Sequence, residues 1–160
     1  MADSGTAEPL ALAVTAAGAI AAVLLVATEF STVASVDVAG GSCEVINDSD
    51  PALADRCTLS GFERNGGAFL LLAALTMLMA WGAGVGGSRP AALALVAVGV
   101  VVLGWALLVD LPVTDDTGAI GISFEGATGE AGPGLTIELV AGALALGAGV
   151  AGMLARRRAA

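Results

Sequence analysis

The chain contains no histidine and no tyrosine, and all six of its basic residues are arginine, so lysine is missing as well. Haem ligation by histidine and a Schiff base on lysine are thereby excluded, and general acid–base work would fall to carboxylates and hydroxyls alone. Only two cysteines occur, Cys43 and Cys57. Without histidine a two-thiolate metal site lacks partners, and 13 intervening residues are too many for the closely spaced pair of a dithiol relay. These gaps argue against an enzyme and imply no catalytic residue, no cofactor and no metal. Charge is scarce too: 13% of 160 residues are charged, with 15 acids against 6 arginines and a net charge of −9. Such a balance repels nucleic acid and anionic lipid headgroups, and suits a cation-rich exterior.

Hydrophobic residues, in contrast, make up 57% of the chain, and the mean hydropathy is +0.91. That leaves too little polar surface to coat a soluble globule, so the bilayer is the first expected partner. Crossing a hydrocarbon core of roughly 30 Å takes about 20 apolar residues. Four runs qualify, at about 10–28, 68–85, 91–109 and 135–155, and none shows a polar stripe at helical spacing. The sequence therefore predicts an all-α integral membrane protein, a single tetraspan domain built as a four-transmembrane-helix bundle. A cleaved signal peptide is the competing reading of the first run, but "MADSGTAEP" carries two acids and no arginine, so retention is expected.

Arginine placement sets the expected orientation. Arg156, Arg157 and Arg158 form the tail, and Arg89 lies in the tight connector "GGSRP", which four spans put on the side of both termini. Both termini are thus expected in the cytoplasm of a plasma-membrane protein, with outer loops at about 30–66 and 110–133. Arg56 and Arg64 fall outside, among acids. The alanine, glycine and arginine bias is that of a GC-rich prokaryotic genome.

With both cysteines in an oxidising space, a Cys43–Cys57 disulfide is expected, closing a 15-residue segment that the chain-entropy model values at about 3 kcal/mol. "SVDV" at 35–38, the turn "AGGS" and "CEVI" at 43–46 read as a hairpin. "AIGISFEG" at 119–126 sets Ile120, Ile122 and Phe124 on one face at period two, a third strand. With Cys57 to Leu59, these segments are expected to form a small extracytoplasmic sheet.

Four helices, a long first outer loop with two cysteines and a shorter second one resemble, in layout, the claudin-type tetraspan proteins. That claudin-like topology implies outer loops forming a small sheet used in lateral and opposing contacts. The first loop lacks the Trp, the Gly-Leu-Trp step and the close cysteine spacing of the claudin signature, so no functional residue carries over. "ELVAGALALGAGVAG" from Glu138 is also similar to four-helix proteolipids of rotary proton pumps. Against that stand long polar loops, the lack of a two-fold repeat and a Glu138 only about one turn inside the boundary.

The fourth run holds two rows of small residues at a spacing of four: Ala143, Gly147, Ala151 and Ala155, and alongside them Ala141, Ala145 and Gly149. Small-residue rows let helix backbones approach closely in lipid. One row is expected to pack within the bundle and the other to serve assembly, as a homo-oligomer or within a larger membrane complex. Glu29, Asp110 and Glu138 end or begin the spans; they are expected to be interfacial and hydrated, with a cation or proton site as the functional alternative. Asp48, Asp50 and Asp55 fit no EF-hand spacing, and Asn47 opens an N-glycosylation pattern. The leading expectation is a non-enzymatic structural or accessory subunit. The alternative is a small oligomeric cation transporter or channel using Glu29 and Glu138.

Overall fold

Four long apolar segments become helices because alanine, leucine and valine bury no polar group and the backbone satisfies itself internally. A computed structural model of the chain describes residues 4–38 and 57–159. Helix α1 spans Ser4–Glu29 and runs into strand β1, Thr32–Asp37; strand β2, Thr58–Ser60, leads into the short helix α2, Gly61–Asn65. Then come α3, Ala68–Gly84, and α4, Arg89–Trp105, which continues through a π-helical turn, Ala106–Asp110, and a further turn, Leu111–Val113. A short α5, Gly118–Ser123, strand β3, Thr128–Ala131, and α6, Pro133–Ala159, complete the order.

The long helices form a four-sided bundle in which α1 packs on α3 and α6, and α4 packs on α6 and α3. Ala22, Leu25, Phe69, Ala73, Val98, Val102 and Ala141 fill one level of the core, so each helix contributes to it. Val14, Ala83, Ala91, Ala92, Leu95 and Ala148 fill a second level nearer the α3–α4 connector. Hydroxyls inside are satisfied locally: Thr15, Thr28 and Thr76 each donate to the carbonyl four residues earlier. Pro9–Glu29, Arg89–Ser123 and Pro133–Ala155 are long and apolar enough to cross a membrane. The 17-residue α3 is apolar but shorter than the predicted second span, rising about 25 Å at about 1.5 Å per residue.

The expected sheet is present, with altered membership. It has three strands in the order β2-β1-β3, all antiparallel to their neighbours. Ala34 pairs with Leu59 on one side and with Ala131 on the other, and a register irregularity lies between Thr32 and Ala34. The predicted "SVDV" and Cys57–Leu59 strands overlap β1 and β2, whereas "CEVI" and its turn lie outside the described residues. The predicted strand at 119–126 is overturned, because Gly118–Ser123 is helical. There Ile120 is buried against Val36, Val38 and Cys57 while Ile122 is 90% exposed, so the period-two pattern does not mark a buried face. Asp116 Oδ1 accepts from the Gly118 N–H at 2.9 Å and starts the turn.

Helix α2 is held by a capping box. The Ser60 hydroxyl accepts from the Glu63 N–H at 3.3 Å, and Glu63 Oε2 accepts from the Ser60 N–H at 2.9 Å and from its hydroxyl at 2.6 Å. The Ser60 side-chain bond, then its backbone bond, holds the Glu63 carboxyl below the ordinary glutamate range. A folded value below the unfolded one means a contribution complete above the ordinary carboxylate range and lost as pH falls through the lowered folded value. Amide protection of Glu63 in hydrogen exchange should therefore fall on acidification, and Ser60→Ala should weaken it above the carboxylate range by an amount corresponding to about 1 kcal/mol and flatten its dependence on acid.

Candidate functional site

Where the bundle meets the sheet, three carboxylates are enclosed. Glu29 ends α1, Asp110 ends the π turn and Glu138 sits in the second turn of α6; all three have no accessible surface. The expectation that these acids are hydrated is thus corrected for the chain as folded. The cause is what closes over them: β1 packs on α6, and its Val33 is fully buried with Ala106 and Leu135. The Gly61 N–H donates to the Ser31 carbonyl at 3.0 Å, which seats α2 on the end of α1.

Each acid has a different environment. Glu29 Oε1 accepts from the Phe69 N–H at 2.8 Å, so the last residue of α1 caps the first turn of α3, where free N–H groups favour an anion. Asp110 Oδ1 accepts from Arg64 Nε at 3.1 Å, and Arg64 Nη2 donates to the Val109 carbonyl at 3.2 Å. The π turn, with the Leu111 N–H donating to the Ala106 carbonyl, is wider than an α turn and carries both Ala106 and Asp110 inward. Glu138 faces Asp110 and Glu29, yet neither of its oxygens has a hydrogen-bond partner among the described residues. The same holds for Glu29 Oε2 and Asp110 Oδ2.

The structure therefore brings together the three acids singled out by sequence and adds Arg64. That residue carried a signal: an arginine just before the second run, in a loop expected from the positive-inside trend to be poor in arginine. Nearby, Trp105 Nε1 donates to Asn65 Oδ1 at 3.0 Å, tying α4 to the end of α2. Among the described residues no three acidic or sulfur-bearing side chains are grouped to hold a metal ion.

The other predicted residues fall elsewhere. On α6, Ala143 and Gly147 are exposed and Ala151 and Ala155 half-buried, whereas Ala141, Ala145 and Gly149 are buried. A Cβ added at Gly149 would lie 2.7 Å from both the Ala92 carbonyl oxygen and the Val96 nitrogen, while one at Gly147 would meet nothing within 4 Å. Cys57 is buried beside β1, and its carbonyl accepts from the Val36 N–H at 2.9 Å. Cys43, Asn47, Asp48, Asp50 and Asp55 lie outside the described residues. Comparison of the chain with family models, with curated proteins and with solved structures gives no match.

The Arg64–Asp110 pair yields a direct test. The Arg64 side chain is 30% exposed and that of Asp110 is fully buried, so removing the arginine strands a carboxylate away from water. Arg64→Ala should destabilise the protein by about 2 kcal/mol, below the cost of breaking a fully buried pair because the arginine already reaches solvent. Adding Asp110→Asn should restore most of the loss in denaturant unfolding in micelles. If the double variant is as unstable as the sum of the two single ones, the pair is not coupled.

Proposed function

We propose that this chain is a non-catalytic tetraspan membrane protein that serves as a structural or accessory subunit, self-assembling or docking onto a larger membrane complex. The observation that carries this reading is the division of labour on α6. One small-residue row is used up inside, with Gly149 against the α4 backbone; the other presents Ala143 and Gly147 on the outer face, where Gly147 has open space. Close backbone approach is how helices associate in lipid, and an outward row of this kind supplies it to a second chain.

Four spans follow in this reading from the place of α3, flanked by α1 and α4 and at the lower end of spanning length. Exposed tryptophans near the two ends of the bundle, Trp81 in the last turns of α3 and Trp105 near the end of α4, suit the two interfaces. The sheet end then faces outward and both termini face the cytoplasm, with the claudin-like layout of loops over helices. A Cys43–Cys57 disulfide fixes the segment between β1 and β2.

Gly147→Leu tests assembly. It should leave the fold and insertion unchanged but reduce the native mass of the gently solubilised protein, whereas Gly149→Leu should disrupt the bundle itself. A wild type already monomeric under those conditions defeats the reading. The disulfide and the outward orientation are tested together: a membrane-impermeant thiol reagent should label intact cells only after reduction. Labelling without reductant would break the staple.

A further inference from the structure

We infer that Glu138 and Asp110 form a proton-binding site beneath the sheet, reached from the sheet-side surface past Arg64. This goes beyond the assembly reading and does not depend on it.

The enclosed space holds more acceptors than donors. Four carboxylate oxygens, both of Glu138 and one each of Glu29 and Asp110, are buried without a hydrogen-bond partner among the described residues. Ionised carboxylates accept only, so three of them cannot satisfy one another. A proton on Glu138 changes that: the acid becomes a donor, and its O–H can pair with the adjacent Asp110 carboxylate in a charge-assisted bond. Uptake moves one proton from water to Glu138, while Asp110 keeps its bond from Arg64 and Glu29 its bond from the Phe69 N–H. The charge of the four-group cluster then goes from minus two to minus one, in a site where uncompensated charge is costly.

The ligand class follows from the geometry. A metal ion would need several of these oxygens around one point, and no such grouping of three occurs among the described residues. A proton needs only two facing carboxyls. The route follows from exposure: among the described residues, the charged side chain that touches the cluster and also reaches the surface is Arg64, whose Nε donates to Asp110 Oδ1.

Among the described residues the charged groups around the site are few. Helix α1 supplies Glu29, α2 supplies Arg64 and the π turn supplies Asp110; α3 carries no titratable residue. Glu63 is exposed and bound to Ser60, Asp37 lies at the far end of β1, Glu130 on β3 is exposed, and Arg89 begins α4 at the opposite end of the bundle.

Infrared difference spectroscopy of the full chain in lipid nanodiscs reads the proton directly. Near neutral pH the wild type should show the carbonyl stretch of a protonated carboxylic acid, shifted in heavy water, because solvated acids are ionised there. Glu138→Gln should abolish the band, Asp110→Asn should shift it by changing its partner, and Glu125→Gln, at an exposed acid, should leave it unchanged. Adding sodium or calcium chloride at constant pH should not remove it. A wild type with no such band from mildly acidic to mildly alkaline pH overturns the proposal, as does a band that survives both Glu138→Gln and Asp110→Asn, or one displaced by the added cation. Should Glu138→Gln fail to insert, the wild-type spectrum and the Asp110→Asn shift still decide.

Discussion

Three carboxylates meet where four helices end, and one arginine reaches them. That imbalance is the constraint on which the sheet end of the molecule is built. Inside a bilayer, water is not available to complete a hydrogen bond, so every polar group in the spans must be satisfied by the chain itself. The threonines meet this rule with carbonyls one turn away. The acids cannot, and the chain collects them at one level, just under the sheet. Glu29 borrows the free N–H groups of α3, Asp110 borrows Arg64, and Glu138 is left facing both.

The cap over this level explains why a protein with few charges keeps short strands at all. Three strands of three to six residues have little stability alone. Here they are attached to the bundle: the Gly132 N–H donates to the Val33 carbonyl at 2.7 Å, and Val33 packs with Ala106 and Leu135. Sheet and helices therefore share one small core, and that core is the lid on the carboxylates.

Much of this was legible in the sequence, and what was not has identifiable reasons. Apolar runs mark the helices because length and composition suffice. Glu29, Asp110 and Glu138 stand out as acids at the edges of those runs, but their burial depends on how β1 and α2 close over them and on a π turn, and no local pattern encodes that packing. A six-residue apolar alternation such as Gly118–Ser123 is ambiguous between strand and helix, and tertiary packing of Ile120 settles it. Strand β3 reads "TGEA", with no alternation to detect; it exists because β1 offers an edge to pair with. Helix α3 begins with the apolar run at Ala68 because Gly66 and Gly67, both at positive φ, separate it from α2.

The two rows on α6 connect the packing of the bundle to the state of its acids. Gly149 brings α6 against the α4 backbone, and Gly99 on α4 lies equally close to Leu146 and Gly142 of α6. These contacts hold the two helices together along their length, and Glu138 and Asp110 are carried on the same pair of helices, nearer the sheet. Larger residues at the buried positions would part the helices and open the space around Glu138 and Asp110 to water. Close small-residue packing and the dehydration of Glu138 are thus one structural condition. The outward row of Ala143 and Gly147 lies on a different face of the same helix, so what covers that face acts on the acids only by moving α6 as a body.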